Sequence, residues 1–505
     1  MYRLIGNLRR TGLAGICCGL ALSLQAQIPF EFDYAPLRLT TEIPIEVRNS
    51  IAKISSEEAD ADVGNLGRDG ERYYTLSNYA LSQAMRSGDI FFDGEVTEYL
   101  ATIADTLLRN EPELRAQITI YATRISIPNA NAWRNGTIFF NLPLLSYLNS
   151  EAEVAFILAH EIAHIRRSHS LNQFRKVQEV DEAFRKTNES EKWLEVLRFS
   201  REQEMEADLL GIDLILDSPY DPAEAILALQ HLQEIDRHTN GFFLDLPQAF
   251  GLDSLAILQE CQCDSARVYR YIGQDLARDG DEENDQNKKS GGNQNDTVEE
   301  PQTEKEELDE DQYATHPSLA SRITALSEKL DEVGEIEGRA RFLHADSTFY
   351  QIRTRAYFEQ IEKTYQQARY ASSLYGALRM LESHPANQYL YEMIAQNLYW
   401  LAFYREQGPI KESFLMGHPD QSLTYGSLIC GLNQLRKSDW EGLLGSFLTS
   451  GVERFPTSET LLVLQGQWAE MYEVEETART AYQKYLELYP DGQRHLFVRN
   501  RLEQL

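Results

Sequence analysis

The stretch ILAHEIAHIRRSH, Ile157 to His169, places His160 and His164 four residues apart, with Glu161 directly after the first histidine. On an α-helix, residues i and i+4 lie one above the other on a single face. Two imidazole nitrogens can then aim at one point, the arrangement that zinc takes with nitrogen ligands at ~2.0–2.1 Å. Glu161 sits one residue round the helix, placed to touch a water at that point rather than the point itself. The plainer reading, a helix with exposed histidines, fits poorly. Val154, Ala155, Ile157, Leu158, Ile162, Ala163 and Ile165 make the flanks apolar almost all round. Burying two unpaired imidazoles and a carboxylate among them is costly, and a metal ion removes that cost.

The spacing is that of H-E-x-x-H, the zinc-peptidase motif. An open tetrahedral site needs a third protein ligand. SREQEMEADLLG, Ser200 to Gly211, offers Glu204 and Asp208, four apart and so on one helix face, with Ala207 small between them. Upstream, Ser150 with Glu153 three residues later reads as a capping box that starts the motif helix. Before it, AQITIYATRISIPNANAWRNGTIFFNL alternates β-branched and aromatic residues around Asn135-Gly136, which predicts two strands and a turn. Val96, Leu100, Ile103, Leu107 and Leu108 fall at helical spacing. Downstream, helices are predicted up to Pro219, from Pro222, and after Pro317.

At 505 residues the chain is expected to hold more than one domain, and 42% hydrophobic residues are ample for a core. A net charge of −31 argues against nucleic acid as a partner, since phosphate binding needs a basic surface. Residues 1–26 read as a secretory signal peptide: Arg3, Arg9 and Arg10, then the apolar TGLAGICCGLALSL, then Ala26 as cleavage position. Residues 27–86 form an N-terminal segment of no assigned role. Residues 279–312 hold 14 acids and 3 lysines with almost no large apolar residue, so a disordered acidic insertion is expected there. After signal removal Cys261, Cys263 and Cys430 remain, an odd number in which no disulfide framework is read. From 341 to 505 the chain is helical in pattern, with prolines at 385, 419, 456 and 490. Their spacing near 34 residues predicts tetratricopeptide-like helix pairs.

HEIAH followed by SREQEMEAD resembles the zinc metallopeptidases that include the heat-shock membrane protease HtpX and the CAAX prenyl protease. Within them it is most similar to the periplasmic, repeat-bearing, β-barrel assembly-enhancing branch. The resemblance implies a mainly α fold with a small β-sheet, an α+β zincin-like metallopeptidase domain over 87–335, followed by the all-α repeat domain over 341–505. It implies one Zn2+ per chain held by His160, His164 and Glu204, with Asp208 supporting a zinc-binding histidine and Glu161 activating water. THP, Thr315 to Pro317, matches a segment whose histidine can take the open zinc position, which implies His316 as a further ligand. Arg322, six residues on, also matches, and Arg322 or His316 is implied as an oxyanion donor. The activity implied is a periplasmic endopeptidase of envelope protein quality control. Unfolded or misassembled proteins would be its substrates and the β-barrel assembly machinery its partner, with room for peripheral membrane association. The competing reading is a chaperone or interaction scaffold for outer-membrane assembly with a latent zinc domain.

Overall fold

The computed structural model describes residues 34, 45, 48, 59–187, 192–236, 318–334, 336–415 and 423–505. His316, Cys261, Cys263, the signal peptide and the acidic insertion lie outside the described residues.

The helices used below are α1 (Ala59–Met85), α2 (Glu95–Leu107), α3 (Leu142–Tyr147), α4 (Glu151–Arg166), α5 (His169–Thr187), α6 (Lys192–Leu216), α7 (Ala223–Asp236) and α8 (Leu319–Val333) in the first half. The second half adds α9 (Asp346–Gln366), α10 (Tyr370–Ser383), α11 (Gln388–Gln407), α12 (Leu423–Gln434), α13 (Lys437–Arg454), α14 (Glu459–Met471), α15 (Glu475–Leu488) and α16 (His495–Gln504). Strands β1 (Ile90–Phe91), β2 (Thr119–Thr123), β3 (Ala130–Ala132) and β4 (Thr137–Asn141) form one sheet in the order β1-β2-β4-β3. The described chain is therefore mostly helical with one small sheet, as the sequence predicts.

The sheet has two strands more than the expected pair, β1 and one from the predicted stretch itself. The Asn135-Gly136 turn is present, but it joins β4 to the short β3, and β2 lies parallel to β4 on its other side. The residues after β2 thus cross to the sheet edge before the chain folds back. Gly136 has φ 87°, and a Cβ there would meet the Gln117 carbonyl oxygen at 1.9 Å, so the turn needs glycine. Alternation sends Ile120, Ala122, Ile138 and Phe140 into the main core, while Tyr121 and Phe139 face Leu81 and Met85 of α1. Both faces are covered, which is why the strands read as apolar runs.

Helix α4 runs through that core and is buried from Glu151 to Ala163. Ser150 caps it, its Oγ accepting from the Glu153 N–H at 3.1 Å. The return bond goes one residue further than expected: Glu153 accepts from the Asn149 N–H at 3.0 Å. Glu151, fully buried at the helix start, accepts from Tyr99 and Tyr220 hydroxyls, the Leu343 N–H and the His344 ring. Four donors compensate the desolvation of that carboxylate.

Helix α9 serves both halves. Phe349, Ile352 and Ala356 complete the core around α4, while Phe358 and Ile361 enter the core of the second half. A buried ion pair at 2.7 Å joins Arg124, just past β2, to Glu359, and the Tyr34 hydroxyl donates to the same carboxylate at 2.5 Å. Beyond α9 the chain forms antiparallel helix pairs. The α9–α10 and α14–α15 turns are built alike: Ala368 and Glu473 have φ 58° and 59°, and the next N–H closes each turn. Close packing in the second pair uses Gly466, where a Cβ would come within 2.1 Å of the Tyr482 ring. Cys430 on α12 is buried and disulfide-bonded, a bond that the odd cysteine count did not announce.

Candidate metal centre

The core exists, in functional terms, to clamp α4 against α6. Gly211 on α6 faces the His160 backbone, and a Cβ there would meet the His160 nitrogen at 3.2 Å. This close approach lets side chains one and two turns earlier on α6 reach the histidines. A glycine inside a helix costs ~1 kcal/mol relative to alanine, which is the sequence signal that it has a packing reason. Sequence reasoning passed over it.

The ring of His160 presents Nδ1 to Asp208 Oδ1 at 2.9 Å, and the ring of His164 presents Nδ1 to His169 at 2.9 Å. Both Nε2 atoms are thereby turned inward, 3.0 Å apart. Glu204 closes the triangle, with one carboxylate oxygen 3.6 Å from His160 Nε2 and the other 3.5 Å from His164 Nε2. Two ligands at the zinc distance and a tetrahedral angle stand about 3.4 Å apart, so the three donors match a zinc ion within a few tenths of an ångström. Among the described residues this is the group of histidines and acids that converges in this way. The structure brings the side chains of His160, His164 and Glu204 together.

Asp208 is fully buried and receives the Arg322 guanidinium through two bonds, Nε at 2.6 Å and Nη2 at 2.7 Å. Burial raises the Asp208 pKa, but the Arg322 and His160 hydrogen bonds outweigh it and hold the carboxyl below its usual range. Burial also acts against a charge on His160, and the Asp208 and Glu204 contacts reverse this, raising its pKa to about 10. His164 is lowered to about 3, by burial first and by the neighbouring His160 second. Glu161 is raised to about 7, chiefly by burial, with His160 opposing and Glu204 adding; it accepts from the Ala132 backbone N–H.

That last contact ties the site to the sheet. On either side of β3, Asn129 accepts from the Asn141 N–H and Trp133 donates to the Thr137 carbonyl of β4, so the backbone groups of Ala130 and Ala132 face outward along the open edge. The edge borders a cleft of about 770 Å³ whose floor carries His160, Glu161, His164 and Glu204. Its lining mixes apolar side chains, Leu144, Phe156, Ile157, Ile165, Leu232 and Leu319, with polar ones such as Ser168, Gln173, Ser200 and Gln203.

Two packed helices offering two imidazoles and a carboxylate, beside an open strand edge, are the arrangement that a metallopeptidase type of domain uses. Residues 94–185 and 187–330 match the family model described as Peptidase family M48. Over 194 residues the chain is 23% identical to the Beta-barrel assembly-enhancing protease of Yersinia pestis, covering 33% of this chain and 38% of that protein. The resemblance read from HEIAH and SREQEMEAD is thus matched by the M48 family model and by that protease. The match spans well under half of the relative's length, and the family model stops before α9. No helix among the described residues is long and apolar enough to cross a membrane.

Proposed function

We propose that the chain is a zinc-dependent endopeptidase cutting unfolded or misassembled proteins, with His160, His164 and Glu204 as ligands and Glu161 as general base. The observation that carries this reading is the convergence of two Nε2 atoms and a carboxylate on the floor of an open cleft, with a buried carboxylate of raised pKa beside them. Zinc, when bound, supplies Lewis acidity, bringing the pKa of water to ~7 and polarising a carbonyl. Glu161 takes the proton of the attacking water and returns it to the leaving amine. Ala130 offers its N–H and carbonyl, and Ala132 its carbonyl, to an extended substrate, which adds as a further strand. Asp208 and Arg322 keep the His160 ring in place.

Export to the periplasm, work on outer-membrane β-barrel proteins and docking of the helical half to their assembly machinery extend this reading. They rest on the signal-like head and on the name of the Yersinia relative. The helix pairs beyond α9 are read as repeats whose stacked faces hold partner segments. The assignment as a peptidase is tested on denatured casein. Cleavage should cease on removal of metal by a chelator and return with stoichiometric zinc; cleavage that survives complete metal removal refutes it.

The walls of the cleft predict its preference. Leu144, Phe156, Ile157, Ile165, Leu232 and Leu319 line it, so cleavage should fall beside a bulky apolar side chain. Leu232→Trp narrows the cleft and should shift the sites toward small residues by about tenfold in relative rate, the discrimination that one or two methylenes give an apolar pocket. Mass-spectrometric mapping of cleavage sites in denatured proteins reads this directly, and an unchanged profile removes Leu232 from the substrate's path.

A further inference from the structure

We propose that His169 is a positioning residue for the metal: it fixes the tautomer and angle of His164 and is itself set by Glu206. The inference rests on the metal reading above and concerns residues outside the ligand set.

Two ring nitrogens that face each other need one donor and one acceptor. His169 Nδ1 stands 2.9 Å from His164 Nδ1, and His169 Nε2 stands 3.3 Å from Glu206 Oε2. A carboxylate accepts, so the His169 proton sits on Nε2 and its Nδ1 is bare. His164 must then carry its own proton on Nδ1 and leave Nε2 bare. Reversing either ring sets two lone pairs, or two protons, against each other. The order of settings therefore runs from Glu206 through His169 to His164, and its end is a lone pair aimed at the point shared with His160 and Glu204.

The backbone holds this relay in place. Ser168, with φ 52°, breaks the chain between α4 and α5 and turns His169 back toward α4. The Gln203 amide donates to the His169 carbonyl at 3.1 Å, and Tyr73 of α1 donates to Ser170 at 2.8 Å. The two rings meet nearly at right angles, centroids 4.8 Å apart, so the in-plane nitrogens align rather than the faces.

The two histidine ligands are thus braced by different chemistry. His160 leans on a carboxylate locked by Arg322, while His164 leans on a neutral imidazole. Glu206 supplies its negative charge from the half-exposed rim, where Arg167 pairs with its other oxygen at 3.0 Å.

The experiment measures zinc dissociation constants on the full chain by competition with a chromogenic chelator, alongside circular dichroism of the metal-free protein. His169→Ala should weaken zinc by about 10–100-fold with the metal-free fold kept. His169→Asn, whose Oδ1 replaces Nδ1 as acceptor, should restore most of it. Glu206→Ala, at a half-exposed position that does not endanger folding, should weaken zinc by about tenfold, the lower end of that range. Cobalt-loaded His169→Ala should show an altered visible spectrum, since a freed His164 ring changes the ligand field. Zinc bound by His169→Ala within twofold of wild type overturns the proposal, as does a His169→Asn no tighter than His169→Ala or a Glu206→Ala without effect. Wild-type protein that binds no zinc would instead refute the metal site itself.

Discussion

Glu161→Gln protein is expected to bind zinc as wild type does and to lose peptide hydrolysis by about 10²–10⁴-fold, the span of general acid–base catalysis. Glu161 does not share the triangle formed by His160, His164 and Glu204. Its carboxylate lies beside that triangle, where burial and the nearby Glu204 raise its pKa to about 7 while His160 opposes the rise. A carboxylate in such a place binds a proton far more readily than one in water, which suits a base that must also release it to an amine. Glutamine has the same shape and still accepts from the Ala132 N–H, so the edge strand stays in place. What disappears is the capacity to take a proton. Zinc content by elemental analysis and kcat on denatured casein check the two halves of this statement. Undiminished cleavage removes Glu161 from the mechanism, and loss of zinc together with activity makes it a ligand instead.

The site was legible in the sequence wherever it rests on short-range periodicity. His160 and His164 converge because four residues make about one helical turn, and Glu204 and Asp208 share a face for the same reason. The capping serine of α4 was legible because capping is local chemistry. Features that depend on which surface meets which were not. Pattern predicts helix from 341 onward, but not that Phe349 packs with α4 while Phe358 packs with the second half. The expected boundary between 335 and 341 therefore falls just before a helix that both cores use. The strand β3 is three residues long, too short to alternate, and the pairing of Ala130 with Phe140 and Ala132 with Ile138 sets its extent. The brace from Arg322 to Asp208 spans 114 residues of chain, and no local signal gives such a contact.

Arg322→Ala is the second large expected effect, and it separates two roles for one residue. The family resemblance suggests an oxyanion donor. The geometry commits Nε and Nη2 to Asp208, which is fully buried and has His160 as its other partner. Removing the guanidinium leaves a buried carboxylate without its main counter-charge, a change that costs about 3–5 kcal/mol. For a domain of this size the metal-free melting midpoint should fall by roughly 10 °C. The loosened Asp208 no longer holds the His160 ring, so zinc affinity should fall about 10–100-fold. Arg322→Lys should recover little, because one ammonium cannot reproduce two parallel bonds to a carboxylate. The decisive quantity is kcat at saturating zinc. If Arg322 works through Asp208, the zinc-saturated variant keeps kcat within about tenfold of wild type, since the ligands reassemble once the ion is present. If it stabilises an oxyanion, kcat falls about 10²–10³-fold at saturating zinc while affinity and melting stay near wild type. The doubly bonded, almost fully enclosed guanidinium makes the first result the expected one.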